Sequence, residues 1–143
     1  MEKVNREGFS VKGPSVRTTN KAEMSSAGKI SDLWGQFYVS NTDHNTSICG
    51  VYSDYESDAN GEFTVTAGTK VIDGANESIL IKAGTYLVFP ANGLMPVAII
   101  DAWKTVWEYF SNNQSYVRAY ETDFEEYSGP ESAAIYIGIK SNS

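Results

Sequence analysis

A chain of 143 residues with 18 acidic and 11 basic side chains, net charge -7 and pI near 4.6, has no clustered Lys and Arg with which to neutralise phosphates, so nucleic acid is excluded and cationic partners are favoured. Cys49 is the single cysteine and His44 the single histidine, which speaks against a disulfide, a thiolate or zinc centre and a Ser-His-Asp triad; no metal or cofactor is expected. The N-terminus lacks the apolar core of a signal peptide and no run approaches the roughly eighteen apolar residues of a membrane span, so one cytoplasmic domain over 1–143, without membrane contact, is expected.

The first element, Phe9 to Thr18, reads as an extended stretch kinked at Gly13-Pro14. "KISDLWGQFY" places Ile30, Leu33, Trp34 and Phe37 at helical spacing, with Ser25 or Ser26 available as cap. Cys49 to Ser57 and Gly61 to Val71 alternate and flank an Asp-Ala-Asn-Gly turn, the pattern of a hairpin. After a polar link at Asp73 to Asn76, "SILIKAGTYLVFP" is a strand with a glycine interruption, and "PVAIIDAWKTVWEYF" is a helix with Ile99, Trp103, Val106 and Phe110 on one stripe. "VRAYETDFEEY" and "SAAIYIGIK" form a second hairpin.

The order βαββ thus occurs twice. A constant shift aligns Ile30, Asp32 and Trp34 with Ile99, Asp101 and Trp103, and Ser53-Asp54-Tyr55-Glu56 with Thr122-Asp123-Phe124-Glu125. The expectation is an α+β fold of two duplicated βαββ units, residues 9–71 and 79–140. They are related by pseudo-twofold symmetry, with antiparallel sheet, two main helices and a central ligand cleft.

Alternation assigns the faces of the acidic strand "YETDFEEY". Val51, Ser53 and Tyr55, with Tyr120, Thr122 and Phe124, are expected to lie against the helices. The opposite face then carries Tyr52, Asp54 and Glu56, with Glu121, Asp123, Glu125 and Tyr127. In the last strand Ile135, Ile137 and Ile139 take the core face, which turns Tyr136 toward Glu125. A carboxylate between Tyr127 and Tyr136 can seat a cation through Coulomb and cation–π attraction. A β-bulge in "FEEY" would exchange Glu125 and Glu126. Phe89 and Trp107 are placed to reach the cleft edge, whereas Trp34 and Trp103 read as core, and Asp54, Asp123, Glu121 and Glu126 as a solvated face or turn.

"KISDLWGQFY", "VYSDYES", "IKAGTYLVFPANG", "AWKTVWEYF", "RAYETDFEEY" and "IYIGI", in this order over about Phe9 to Lys140, resemble the effector-binding domain of bacterial AraC- and MerR-type transcription regulators, the gyrase-inhibitor-like family. The resemblance implies a duplicated βαββ fold whose central cleft binds amphiphilic or planar organic cations around a glutamate. That glutamate corresponds to Glu125, with Tyr127 beside it and the last-strand tyrosine at Tyr136. The chain has no helix-turn-helix module, so it is similar to stand-alone proteins of mobile integron cassettes that bind cationic drugs. Such a protein would sequester a compound or act with a separate regulator as partner. Two alternatives remain: a small-molecule hydrolase using Glu125 with Tyr127 or Tyr136, and a gyrase-inhibitor-like protein that engages a basic partner.

Overall fold

A computed structural model describes residues 2–23, 25, 28–40, 48–57, 61–71, 78–112 and 115–140. The expected turn at 58–60, the link Asp73 to Asn76, Ser26 and His44 lie outside the described residues. The elements run β1 (Glu2–Arg6), β2 (Phe9–Lys12), β3 (Ser15–Thr18), α1 (Asn20–Glu23), α2 (Ile30–Ser40), β4 (Ile48–Ser53), β5 (Phe63–Val71), β6 (Ser78–Ile81), β7 (Gly84–Asn92), α3 (Val97–Asn112), β8 (Arg118–Gly129) and β9 (Ser132–Ile139). The class is α+β, as the sequence predicts.

One antiparallel sheet orders the strands β1-β7-β9-β8-β4-β5-β2-β6, with β3 also paired to β5. The kink at Gly13-Pro14 divides the first predicted strand into β2 and β3, both of which pair with β5; a Cβ at residue 13 would collide with the backbone of Ala67, so only glycine fits this crossing. Strand β1, "EKVNR", has no apolar alternation and was not expected; it forms because its backbone completes the edge of β7 from Glu2↔Val88 to Arg6↔Gly84. Glu23 stands at the start of helix α2. The Glu23 carboxylate accepts from the backbone N–H of Lys29 and Ile30, while Ser25 Oγ donates to the carbonyl of Ala22.

Helices α2 and α3 lie on the same face of the sheet. Leu33 and Phe37 of α2 pack on Tyr52, Phe63, Val65 and Ala67 of β4 and β5. Ile99, Ala102 and Val106 of α3 pack on Leu87, Phe89, Ala91 and the isoleucines of β9. The other face is covered as well: Val51 and Phe124 join Val11, Ile81 and Tyr86 in a separate cluster, against which Val4 of β1 and Ile79 of β6 also pack, so the two ends of the sheet share one core. The sheet therefore buries both of its faces.

This corrects the expected face assignment. Residues directly opposite one another in antiparallel strands share a face, and the register is Phe89↔Ile135, Ile135↔Glu125, Glu125↔Gly50 and Gly50↔Ala67. This row crosses five strands beneath the helices, with Glu125 at its centre. Phe124 and Val51, expected under the helices, are on the far side.

Candidate functional site

Helices α2 and α3 cover opposite flanks of the sheet and leave β8 and the adjoining part of β4 between them as the floor of a cavity of about 760 Å³. Trp34 and Tyr38 of α2 form one wall; Ile99, Ile100, Trp103 and Trp107 of α3 form the other; Tyr52, Phe63, Glu125 and Tyr127 rise from the strands. The rings cross between walls and floor: Trp103 meets Tyr52 edge-on at 5.0 Å between centroids, and Trp34 meets Tyr127 at 5.5 Å. A hollow of this size lined by aromatic side chains has the dimensions of a small-molecule site.

Glu125 is 3 % exposed. Its Oε2 accepts from Trp103 Nε1 at 2.6 Å and from the Tyr52 hydroxyl at 2.7 Å, and its Oε1 accepts from the Tyr127 hydroxyl at 2.8 Å. Among the described residues no Lys or Arg forms an ion pair with it. Bonds to a charged acceptor contribute about 1.5–3 kcal/mol each, while desolvating an ion costs several kcal/mol. The donors offset much of that cost without a compensating charge. Burial accordingly pushes the Glu125 carboxyl above its ordinary value, with Trp103, Tyr52 and Tyr127 pulling the other way. The hydroxyls of Tyr52 and Tyr127 are driven up by burial and then by the charge of Glu125, so they remain neutral donors.

Gly50 makes room for this carboxylate. A Cβ there would stand 2.7 Å from Glu125 Oε1 and 3.0 Å from the Trp34 ring. Any side chain at this place would force the acid or the Trp34 ring to shift.

Beside the cavity floor lies a second carboxylate with its own cation. Asp123, fully buried, accepts from Arg118 Nη2 at 2.8 Å, from the Tyr55 hydroxyl at 2.5 Å and from the backbone N–H of Gly138 at 2.8 Å. Two positive-φ residues create this cluster. Asp54 (φ 51°) ends the alternation of β4 so that Tyr55 turns to the cavity side, and Tyr120 (φ 54°) lies within the register shift between Arg118 and Asp123. Arg118 lines the cavity, but its charge is neutralised by Asp123.

Of the seven side chains predicted for the site, Glu125, Tyr127, Tyr52 and Trp107 line the cavity together. Three do not. Tyr136 is directly opposite Phe124 and stacks on it at 4.5 Å on the far face, beneath the guanidinium of Arg6. Phe89 is buried in the core under α3 with Tyr109 and Phe110 around it. Glu56 is exposed beyond the end of β4, after the chain has left the strand at Asp54. The register is continuous from Asp123 to Tyr127, so no bulge exchanges the two glutamates. Glu126 is on the far face with Lys70 at 2.6 Å and Arg6 at 3.5 Å; although burial works against it, these two cations hold its carboxyl below the ordinary value.

Sequence reasoning placed Trp34 and Trp103 in the core and passed over Gly50. The signal for the tryptophans was present: their indoles occupy equivalent positions of the two helices, and a buried indole N–H needs an acceptor. Asp123, read as a solvated acid, is instead the most buried charge in this part of the molecule.

A family model described as "integron-associated effector binding protein" (Cass2) matches residues 4–139. The integron cassette protein VCH_CASS2, from the mobile metagenome of Vibrio cholerae, has a crystal structure that superposes with a TM-score of 0.89 at 36 % identity, covering 97 % of this chain and 95 % of that one. YobU of Bacillus subtilis (strain 168), which carries the name of a transcriptional regulator, is 31 % identical over 147 residues, covering 90 % of both chains. SAV2435, whose structure was determined bound to tetraphenylphosphonium, shares the fold at TM-score 0.72 and 17 % identity, over 98 % of this chain and 93 % of that one.

Proposed function

The chain belongs to the family of integron-associated effector binding proteins, and from that premise we propose that it binds one amphiphilic or planar organic cation in the cavity between α2 and α3, with the cationic centre against Glu125. The observation that carries this reading is the state of Glu125: a buried carboxylate on three neutral donors, with no cation of its own among the described residues, in a hollow walled by tryptophan and tyrosine. A delocalised cation is weakly hydrated, loses little on entering such a hollow, and meets both Coulomb and cation–π attraction there. The same arrangement disfavours anions and neutral polar solutes, which would leave the carboxylate unpaired.

The donors on both oxygens of Glu125 favour binding over turnover. The hydrogen bonds from Trp103, Tyr52 and Tyr127 pull its carboxyl down and so work against its use as a base for hydrolysis. The protein is then a receptor or sequestering agent, acting on its own or through a separate regulator.

Tetraphenylphosphonium, the ligand in the SAV2435 structure, is a probe of the required class. Titration followed by quenching of tryptophan fluorescence should give saturable binding to the wild type. Glu125→Gln should weaken it at least about tenfold, a loss of roughly 1.4 kcal/mol, and Glu126→Gln should leave it near the wild-type value. Equal losses in the two variants would remove Glu125 from this role.

A further inference from the structure

Four ionisable side chains other than tyrosine line the cavity: Glu23, Lys104, Arg118 and Glu125. Two of them are already committed. Glu23 accepts from the Thr18 hydroxyl and from the first backbone N–H groups of α2. Arg118 is bound to Asp123. Among the described residues Glu23, Glu125 and Lys104 form no ion pair; the charge of Glu23 faces the N-terminus of α2, which offsets it, so the carboxylate of Glu125 on the floor and the ammonium of Lys104 on α3 are the two left without such an offset.

Lys104 occupies an unusual place for an exposed lysine. It falls on the helical stripe Val97, Ile100, Lys104, Trp107, whose other members are 63 %, 49 % and 40 % exposed, so it is one cation set in an apolar rim. Ile100 and Trp107 line the cavity with it. Asp101 and Glu108 stand one turn to either side on the same helix, yet among the described residues Lys104 takes part in no ion pair.

We infer that Lys104 sets the charge pattern of the ligand: the cavity takes amphiphiles with one cationic end, and prefers those whose other end is neutral or anionic over bis-cations. This rests on the reading of Glu125 as the cation seat. A ligand whose positive head lies against Glu125 leaves its distal end toward the rim, where a second ammonium meets Lys104 as a like charge and a carboxylate meets it as a partner. Because the rim is wet, the discrimination is modest and salt-sensitive. Glu125 supplies affinity for a cation, and Lys104 decides how many charges it carries.

The test uses the full chain and three twelve-carbon probes below their micelle concentrations: dodecyltrimethylammonium, its counterpart with a trimethylammonium group at both ends, and 12-trimethylammonio-dodecanoate. In the wild type the zwitterion should bind at least as tightly as the mono-cation, and the bis-cation about fivefold more weakly, as expected for one partly screened charge contact. Lys104→Glu should reverse the order of zwitterion and bis-cation, and about 0.5 M salt should compress the differences in both proteins. Unchanged ratios among the three probes in Lys104→Glu would overturn the inference while leaving the cation seat standing. Failure of dodecyltrimethylammonium to bind the wild type would overturn the cation seat, and this inference with it.

Discussion

The indole N–H of Trp103 donates to Oε2 of Glu125 at 2.6 Å, joining the middle of α3 to the centre of the sheet. Trp103→Phe keeps an aromatic ring but leaves a buried carboxylate with one donor fewer. The expected result is a loss of about 1.5–3 kcal/mol in unfolding free energy at neutral pH, the scale of a hydrogen bond to a charged group, measured by urea denaturation. Because that donor is the strongest influence holding the carboxyl down, the variant should also titrate Glu125 at higher pH than the wild type does.

The affinity for a permanently charged cation should depend on pH in one direction. Burial raises the Glu125 carboxyl above 4.5 in the folded protein. Its effect on stability is therefore most favourable below the unfolded value near 4.5 and declines as pH rises through the folded value. A bound cation favours the ionised form and reverses that trend. Tetraphenylphosphonium affinity should rise with pH across this window and then level off, with proton release on binding inside it. Calorimetry in buffers of different ionisation enthalpy checks the proton count, and Glu125→Gln should flatten the profile.

Gly50→Ala tests the space beside the acid. The added methyl would lie 2.7 Å from Glu125 Oε1 with the Trp34 ring also in contact. A destabilisation of about 1–3 kcal/mol, the range for overpacking, should accompany weaker cation binding. Gly35 on α2 is the control: nothing lies within 4 Å of a Cβ there, so Gly35→Ala should stabilise by about 0.5–1 kcal/mol through helix propensity alone.

Two of the ion pairs on β8 should behave very differently. Asp123→Asn strands the buried guanidinium of Arg118 and should cost about 3–5 kcal/mol. Lys82→Ala removes an exposed partner of Glu121, 2.9 Å away, and should change stability by less than about 1 kcal/mol. Thermal melts of the two variants side by side suffice.

Helices α2 and α3, though not the short α1, the strands beyond β1 and the pairing of Glu125 with Tyr127 were legible in the sequence. Helical spacing at Ile30, Leu33 and Phe37 and alternation in "YETDFEEY" report backbone geometry directly. Which face of β8 lies under the helices was not legible. Alternation separates Phe124 from Glu125 but cannot say which is covered, and the usual guide, that the apolar face is the buried one, fails in a sheet with a core on each side. Phe124 fills the far core, and the acid goes under the helices because Trp103, Tyr52 and Tyr127 receive it. The last strand was read correctly, with Ile135, Ile137 and Ile139 under α3 and Tyr136 turned away; Tyr136 misses the cavity because Glu125 shares the face of Ile135. Strand β1 was invisible because edge pairing through the backbone demands nothing of "EKVNR".

The single thiol of the chain lies away from all of this. Cys49 is fully buried on the face of β4 that turns from the cavity, and burial, reinforced by the charge of Glu126, pushes it up to about 12. At neutral pH it carries almost no thiolate, so maleimides and iodoacetamides will pass it by. The native protein thus comes ready for single-site labelling: a cysteine introduced at Val39, 89 % exposed and next to the cavity-lining Tyr38, can carry one environment-sensitive fluorophore without a cysteine-free background. A reporter at that position would turn the molecule into an optical sensor for whatever occupies its hollow.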